Sequence, residues 1–130
     1  MQIAPIPNNG NGNCLFQSCS YHLGVDHKTL RQQVSWVIRK YPNLPINGSP
    51  LFEWIKWSKH DLSTYSNYIS HDGVYGTGIE LMLISIMYRR CIRVKDINNI
   101  QIAEYFPEFG NPFYLLFIGN PNAGHYESLV

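Results

Sequence analysis

The sequence Asn11-Gly12-Asn13-Cys14-Leu15-Phe16 organises the rest of the chain, because a glycine- and asparagine-rich loop leads directly into a cysteine there. Asn and Gly adopt turn and left-handed conformations at low cost. Apolar side chains follow Cys14 until Gly24, a typical helix stop, so the pattern predicts a helix that begins at Cys14. A helix N-terminus presents unpaired N–H groups that favour an anion, either a thiolate or a developing oxyanion. The alternative is an ordinary buried cysteine beside a flexible loop.

The length of 130 residues and a hydrophobic content of 45% predict one globular domain, residues 1–130, with a substantial core. The formal net charge of +1 lacks the strong basic bias that binding to nucleic acid or an anionic membrane requires. We therefore expect neither nucleic acid nor a membrane as a partner, and we expect a monomer.

The three cysteines, Cys14, Cys19 and Cys91, are odd in number and irregularly spaced, which disfavours a disulfide framework. No Cys-x2-Cys pair suggests a zinc site, and we predict no metal and no cofactor. The first residues also lack the basic start and apolar run of a secretion signal. These features together favour a reducing compartment, the cytoplasm.

Hydrophobic periodicity and caps predict helices in the first two thirds of the chain and strands in the last third. Asp26 and Asp61 are predicted helix caps, and Thr77 with Glu80 matches a capping box before an apolar helix. The predicted order gives an α+β fold, a small central sheet covered by helices. The predicted helices are 14–23, 28–41, a short helix capped by Ser49, a short helix after Asp61, and 79–89; the predicted strands are 91–97, 100–106, 113–118 and 125–130.

Two side-chain groups receive specific burial predictions. The polar face of the helix over 28–41 is interpreted as a solvated surface; its members are Lys28, Arg31, Gln32, Arg39 and Lys40. The aromatic residues of the short helix after Pro50 are interpreted as core rather than as a docking surface; they are Phe52, Trp54 and Trp57.

The chemistry predicted for Cys14 depends on His125, at the other end of the chain. A thiol needs a base to attack a carbonyl at neutral pH, and a third polar group must orient the base. His125 follows a glycine-containing turn that could line a cleft, and it begins a predicted strand in which Glu127 shares its face. Glu127 could therefore accept a hydrogen bond from the ring nitrogen that does not face Cys14. The alternative is an ordinary histidine with an acid beside it by chance.

Four segments resemble the ovarian tumour (OTU) family of cysteine proteases, and they occur in the family's order across residues 11–129. Residues 11–16 resemble the nucleophile motif Asp-Gly-Asn-Cys-Leu-Phe, and residues 75–81 resemble Trp-Gly-x-x-x-Glu-Leu. Residues 92–94 are similar to the strand that follows, and residues 125–129 resemble the terminal His-Tyr-Asn/Asp-Ser-Val. The resemblance implies a papain-like OTU fold.

The resemblance also implies hydrolysis of the peptide or isopeptide bond after the C-terminal Gly-Gly of ubiquitin or a ubiquitin-like modifier. Cys14 matches the nucleophile and His125 the general base and acid, while Glu127 matches the residue that orients the histidine. Asn11 matches a family aspartate near the oxyanion loop. The implied oxyanion hole consists of the backbone amides of Gly12, Asn13 and Cys14.

The chain departs from the family pattern at Asn11, at Glu127 and at Tyr75, where the family usually has Asp, Asn or Asp, and Trp. It is also short, and short divergent members are familiar from viruses, so a viral protein acting in the host cytoplasm is one hypothesis. The departures leave other functions open: a catalytically impaired module that binds ubiquitin or a host partner, a polyprotein-processing protease, or a structural or metal-binding domain. The candidate acids for the arginines of a ubiquitin tail are Glu53, Asp61, Asp72 and Glu104.

Overall fold

The computed structural model describes residues 4–8, 11–119 and 124–130, in which five helices accompany a mixed sheet. The predicted helices and strands all appear, with ends that differ by a few residues. The structure also contains a small hairpin whose two strands have two residues each. In chain order the elements are β1 (Pro5–Ile6), α1 (Cys14–Leu23), α2 (His27–Lys40), β2 (Pro45–Ile46), β3 (Ser49–Pro50), α3 (Leu51–Trp57), α4 (Leu62–Ser70), α5 (Gly78–Tyr88), β4 (Ile92–Lys95), β5 (Gln101–Tyr105), a 3-10 turn (Pro107–Phe109), β6 (Phe113–Ile118) and β7 (His125–Leu129).

The main sheet has the strand order β1-β7-β6-β4-β5, with β6 at its centre as its continuous apolar sequence predicts. β4 and β6 are parallel, and the other neighbours are antiparallel. His125 lies opposite Ile118 at the start of β7, and Ser128 lies opposite Ile6 of β1. β7 is therefore paired with β6 along its whole length and with β1 at Ser128 and Leu129.

The helix ends follow the predicted caps. α1 begins at Cys14 and ends at Gly24, whose φ of 69° is the left-handed conformation that glycine adopts easily. Asp26 caps α2 by accepting hydrogen bonds from the N–H groups of Lys28 and Thr29. α5 begins with the predicted capping box between Thr77 and Glu80.

The core lies between the sheet and the helices. α1 packs against β7 and α2, while α5 contacts α2 and β5. The first two turns of α5, residues 79–85, are buried on all sides, as predicted for the apolar sequence of this helix. The fully buried core side chains include Leu15, Phe16, Leu30, Leu51, Ile55, Leu81 and Leu83.

Three sequence-based predictions about burial and boundaries are wrong. Ser49 pairs with Ile46 in the small hairpin instead of capping α3, which begins at Leu51. Trp57 is 57% exposed, because Leu51 and Ile55, one turn apart, occupy the core-facing side of α3. Arg31 is 1% exposed, although it was assigned to a solvated face.

None of the helices in the described parts of the chain combines the length and apolar character needed to cross a membrane.

Candidate active site

Cys14 is the first residue of α1, and its side chain is buried. Its Sγ atom accepts a hydrogen bond from the Tyr126 N–H group at 3.4 Å. This contact brings the first residue of α1 to the start of β7, directly beside His125. The fold thus places the two predicted catalytic residues, 111 positions apart in sequence, at one site.

Burial raises the pKa of the Cys14 thiol, and the backbone N–H groups of Tyr126, Leu15 and Cys14 act in the opposite direction. Burial is the larger effect. The helix N-terminus is present as predicted, and its N–H groups offset only part of the effect of burial on the pKa of the thiol.

His125 Nε2 lies 3.1 Å from Glu127 Oε2, so the hydrogen bond predicted between these side chains is present. Both side chains are partly buried, with 23% and 15% of their surfaces exposed. A carboxylate accepts hydrogen bonds, so Glu127 selects the tautomer that carries its proton on Nε2. The unprotonated nitrogen is then Nδ1, which is buried and has no hydrogen-bond partner among the described residues. Of the turn before His125, residues 120–123 lie outside the described residues.

The loop that precedes Cys14 is folded on Asn11. The Asn11 Oδ1 atom accepts the N–H group of Asn13 at 3.0 Å, and the Asn11 carbonyl accepts the N–H group of Cys14 at 3.1 Å. Two of the three amides predicted for an oxyanion hole, those of Asn13 and Cys14, thus donate to Asn11 within the loop. Their role in stabilising an oxyanion stays a prediction, as does that of Gly12.

A second turn packs directly on the loop. A Cβ atom on Gly12 would lie 1.6 Å from the Gly73 carbonyl oxygen, so only glycine fits at this position. The Gly73 N–H group donates to Asn13 Oδ1 at 2.8 Å. Residues 11–14 and the turn at residue 73 therefore form one packed unit.

A cavity of about 420 Å³ is lined in part by Gly124 and Tyr126, the chain neighbours of His125, while Cys14 and His125 themselves are not among its lining residues. Its walls come from three segments: the turn before α5, the start of β7 with neighbouring β6, and an aromatic group around α4. The lining residues are Tyr75, Gly76, Thr77, Gly78, Gly124, Tyr126, Phe117, His60, Tyr65 and Tyr68.

The wall formed by the turn before α5 is held by Glu80, which is fully buried. Its Oε1 accepts the Thr77 N–H at 2.7 Å and the Thr77 hydroxyl at 3.0 Å, and its Oε2 accepts the Tyr65 hydroxyl at 2.7 Å. Burial raises the pKa of Glu80, and its hydrogen-bond donors act against this. One buried side chain thus links two walls of the cavity.

The four candidate acids for a basic substrate tail differ in their surroundings. Glu104 pairs with Arg93 at 2.8 Å on β5, and Glu53 lies on α3. Asp61 caps α4 next to His60 of the cavity, and Asp72 is exposed just before the cavity wall at Tyr75. Within the described residues, no three His, Cys, Asp or Glu side chains are grouped so that they could hold a metal ion.

The model of the OTU-like cysteine protease family matches residues 9–125, which include both Cys14 and His125. The chain belongs to this family. A comparison with curated protein sequences found no significant match.

Solved OTU structures share the fold over 98% of this chain at low sequence identity. An OTU domain in complex with ubiquitin has a TM-score of 0.78 at 22% identity, with 69% of its chain covered. The viral OTU domain protease from Dera Ghazi Khan virus has a TM-score of 0.68 at 16% identity, with 80% covered. An OTU deubiquitinase from Wolbachia pipientis wMel, bound to ubiquitin, has a TM-score of 0.64 at 15% identity, with 95% covered. The predicted papain-like OTU fold is confirmed.

Sequence reasoning missed two residues at this OTU site. Arg31 was assigned to solvent because helical periodicity gave it polar neighbours, yet it donates to the Gly12 carbonyl and to Asn13 Oδ1. His60, just before α4, lines the cavity. No motif marked either residue, because their contacts arise only from tertiary packing.

Proposed function

We propose that this OTU-family cysteine protease is a deubiquitinase, which hydrolyses the peptide or isopeptide bond after the C-terminal Gly-Gly of ubiquitin or a ubiquitin-like modifier. The observation that carries the proposal is the arrangement at the start of β7, where Tyr126 N–H meets Cys14 Sγ and Glu127 holds His125. The ubiquitin complexes of structurally similar OTU proteins support the substrate class.

In the proposed reaction, His125 Nδ1 takes the thiol proton and Cys14 Sγ attacks the carbonyl carbon of the terminal glycine. The tetrahedral intermediate collapses when His125 returns that proton to the leaving amine, which leaves a thioester on Cys14. Water then attacks the thioester with His125 as base, and the products are the modifier's carboxylate and the free thiol. Glu127 keeps the proton on Nε2 and stabilises the imidazolium.

The oxyanion requires N–H donors, and the N–H groups of Asn13 and Cys14 in this loop donate to Asn11. We propose that the developing oxyanion takes the Cys14 N–H from the Asn11 carbonyl, while Asn13 and Gly12 are further candidate donors. The N-terminus of α1 adds its dipole at the same point.

The cavity that Gly124 and Tyr126 line in part supports a place for the modifier's tail, which ends Arg-Leu-Arg-Gly-Gly in ubiquitin. Among the acids, Asp61 and Asp72 are proposed for the tail's arginines, because both are exposed and adjoin cavity segments. Glu104 is already paired with Arg93.

The test is incubation with ubiquitin that carries a thiol-reactive C-terminal group, followed by intact mass measurement. We expect a one-to-one adduct that Cys14→Ser abolishes and Cys91→Ser retains, since Cys91 is buried away from this site. If the folded protein forms no adduct with ubiquitin or with ubiquitin-like modifiers, the proposal is wrong.

A second candidate is an impaired OTU module that binds ubiquitin without cutting it. It is favoured by the engaged amides of Asn13 and Cys14 and by the raised pKa of the Cys14 thiol. Binding of ubiquitin by calorimetry, with no hydrolysis of ubiquitin conjugates over hours, would support this candidate over the first.

We further propose a monomer that acts in the cytoplasm, and a viral origin with a host substrate. The three free cysteines support a reducing compartment, and the similarity to viral OTU proteases supports the origin. A dimer in light scattering at micromolar concentration, or localisation of the tagged protein to the secretory pathway, would contradict the first two.

A further inference from the structure

Arg31 is a buried cation on α2, whose other arginine and lysine side chains, Lys28, Arg39 and Lys40, are exposed. Only 1% of its surface is accessible, and its guanidinium lies 4.3 Å from the centroid of the Phe16 ring. A charge is removed from water in this way only where specific acceptors compensate for the lost hydration. The contacts of Arg31 therefore indicate what the cation is for.

The acceptors of Arg31 belong mainly to the nucleophile loop, residues 11–14. Nη2 donates to Asn13 Oδ1 at 2.8 Å and to the Gly12 carbonyl at 3.2 Å, and Nη1 donates to the Ile69 carbonyl at 2.9 Å. Nε has no hydrogen-bond partner among the described residues, so the two terminal nitrogens provide the anchoring. A lysine offers a single compact cation and cannot reproduce this fork.

These contacts fix the orientation of the peptide unit between Gly12 and Asn13. Its carbonyl points to Arg31, so its N–H group points the opposite way, where Asn11 Oδ1 accepts it at 3.0 Å. A flipped peptide would instead direct the Gly12 carbonyl oxygen towards the side where the Asn13 and Cys14 N–H groups meet Asn11. An oxygen there would repel a developing oxyanion.

The Asn13 side chain connects this anchor to the neighbouring turn. Its Oδ1 atom accepts from both Arg31 Nη2 and the Gly73 N–H, each at 2.8 Å. Burial lowers the pKa of the Arg31 guanidinium, and the negative charges of Asp72 and Glu80 oppose that change. An arginine nevertheless keeps its proton in proteins.

We propose that Arg31 is a positioning residue of the nucleophile loop, which acts through the Gly12 carbonyl and Asn13 Oδ1 to keep N–H groups directed at the developing oxyanion. The inference rests on the proposed function only in so far as Cys14 forms a tetrahedral adduct.

The experiment compares two reactions of Cys14 that need no ubiquitin. Acylation by p-nitrophenyl acetate passes through a tetrahedral oxyanion, releases p-nitrophenolate and leaves a thioester on Cys14. Alkylation by iodoacetamide displaces iodide and forms no oxyanion. The rates of both reactions measured with the Cys14→Ser variant are subtracted from those of each other protein, which removes the contribution of nucleophiles other than Cys14. In Arg31→Lys we expect acylation to fall about 100-fold, because small misplacements of a catalytic group have effects of that order, and alkylation to change less than about threefold.

Ser35→Ala is the matched control. Ser35 also lies on α2, and its hydroxyl bonds to Ser66 of α4 at 2.8 and 3.1 Å without contacting residues 11–14. Both rates should stay at the wild-type level in this variant. Equal losses of acylation and alkylation in Arg31→Lys, or acylation within about threefold of wild type, would overturn the proposal.

Asn13→Ala provides a second route if Arg31→Lys does not fold. It should show the same selective loss of acylation, and the double variant should be no slower than the slower single variant. Failure of both single variants to fold, or a wild-type Cys14 that is not acylated at all, would also overturn the inference. Acylation of wild type without any cleavage of ubiquitin conjugates would contradict the proposed function alone.

Discussion

The nucleophile loop, residues 11–14, and the histidine strand β7 (His125–Leu129) are held in place by different means. The loop depends on a few side-chain and turn contacts: Arg31, Asn11 and the close approach of Gly73. β7 is held by backbone pairing with β6 on one side and β1 on the other. The two catalytic groups of one site are thus supported by concentrated contacts in one case and distributed contacts in the other.

This difference determines how each half responds to substitution. A loop fixed by a few buried atoms shifts when any one of them is removed, because little else opposes the movement. A strand paired on both sides keeps its backbone when one side chain changes, so only the chemistry of that side chain is lost. Substitutions in the loop should therefore alter both stability and activity, whereas substitution of Glu127 on β7 should alter mainly activity.

Gly12→Ala tests the loop most severely. The new Cβ would lie 1.6 Å from the Gly73 carbonyl oxygen, so the loop or the turn must move. We expect the free energy of unfolding, measured in urea, to fall by about 3 kcal/mol, which is the upper end of the usual cost of overpacking a core. We also expect a fall in kcat/KM of at least about 100-fold from the displaced nucleophile.

Gly76→Ala is the control for this prediction. Its Cβ would lie 3.1–3.4 Å from the side chain of Leu15, which can adjust, so the expected loss is only about 1 kcal/mol. Wild-type activity in Gly12→Ala would show that the loop is not constrained by its contact with Gly73.

Glu127→Ala tests the strand. Loss of the 3.1 Å contact to His125 frees the ring to adopt the other tautomer, and we expect kcat/KM to fall about 100-fold. Stability should change by about 1 kcal/mol or less, because pairing with β6 and β1 is unaffected. Chemical denaturation and steady-state kinetics on the same preparation provide both numbers.

Asp96→Ala is the matched acid-to-alanine control, since Asp96 accepts N–H groups only within the β4–β5 turn. Its kcat/KM should equal that of wild type. A stability loss in Glu127→Ala as large as that in Gly12→Ala would contradict the comparison between loop and strand.

Much of the fold could be predicted from sequence, because caps and periodicity act locally. Helix starts are marked by caps that form hydrogen bonds within one turn, as at Asp26, at Asp61 and in the capping box of Thr77 and Glu80. The strand β6 is predicted by its continuous apolar sequence. Likewise, the i and i+2 positions of His125 and Glu127 predict their contact once the strand is known.

The site as a whole could not be predicted in this way. Nothing local places Cys14 beside Tyr126; only the resemblance to OTU proteases suggested that these ends of the chain meet. Helical periodicity also gave the wrong burial for Arg31. A long amphipathic side chain at the edge of a polar face can extend inwards where buried carbonyl groups accept its hydrogen bonds. These acceptors are distant in sequence, so the sequence of the helix that carries Arg31 does not indicate that they are present.

Glu80→Gln extends the comparison to the cavity wall, where a second buried ionisable side chain holds Thr77 and Tyr65. Burial raises the pKa of Glu80 in the folded state, so the folded protein favours the protonated acid. This contribution to stability is fully present below the unfolded pKa, about 4.3, and is lost as pH rises through the folded value. Glutamine does not titrate. The stability of wild type minus that of Glu80→Gln should therefore decrease from pH 4 to pH 8 in urea unfolding.

Glu80→Leu, which removes the acceptors, is the contrasting variant and should lose stability by about 2 kcal/mol or more, because the donors of Thr77 and Tyr65 are left unsatisfied. A wild-type advantage over Glu80→Gln that grows with pH would mean that those donors outweigh burial and hold a carboxylate.

Asn11→Asp should have the smallest effect, since it keeps the acceptor for the Asn13 N–H and restores the acid usual in OTU proteases. A charged acceptor strengthens that hydrogen bond, so the loop should gain stability of about 0.5 kcal/mol. The added negative charge beside Cys14 disfavours the thiolate, whose pKa burial already raises. The acidic limb of the pH profile of kcat/KM should therefore move to higher pH, with activity above that limb within about threefold of wild type. Asn11→Ala, which removes the acceptor without adding charge, should leave the limb in place and lower activity at every pH. A limb that stays at the wild-type pH in Asn11→Asp, as it should in Asn11→Ala, would mean that the added charge does not act on the Cys14 thiol.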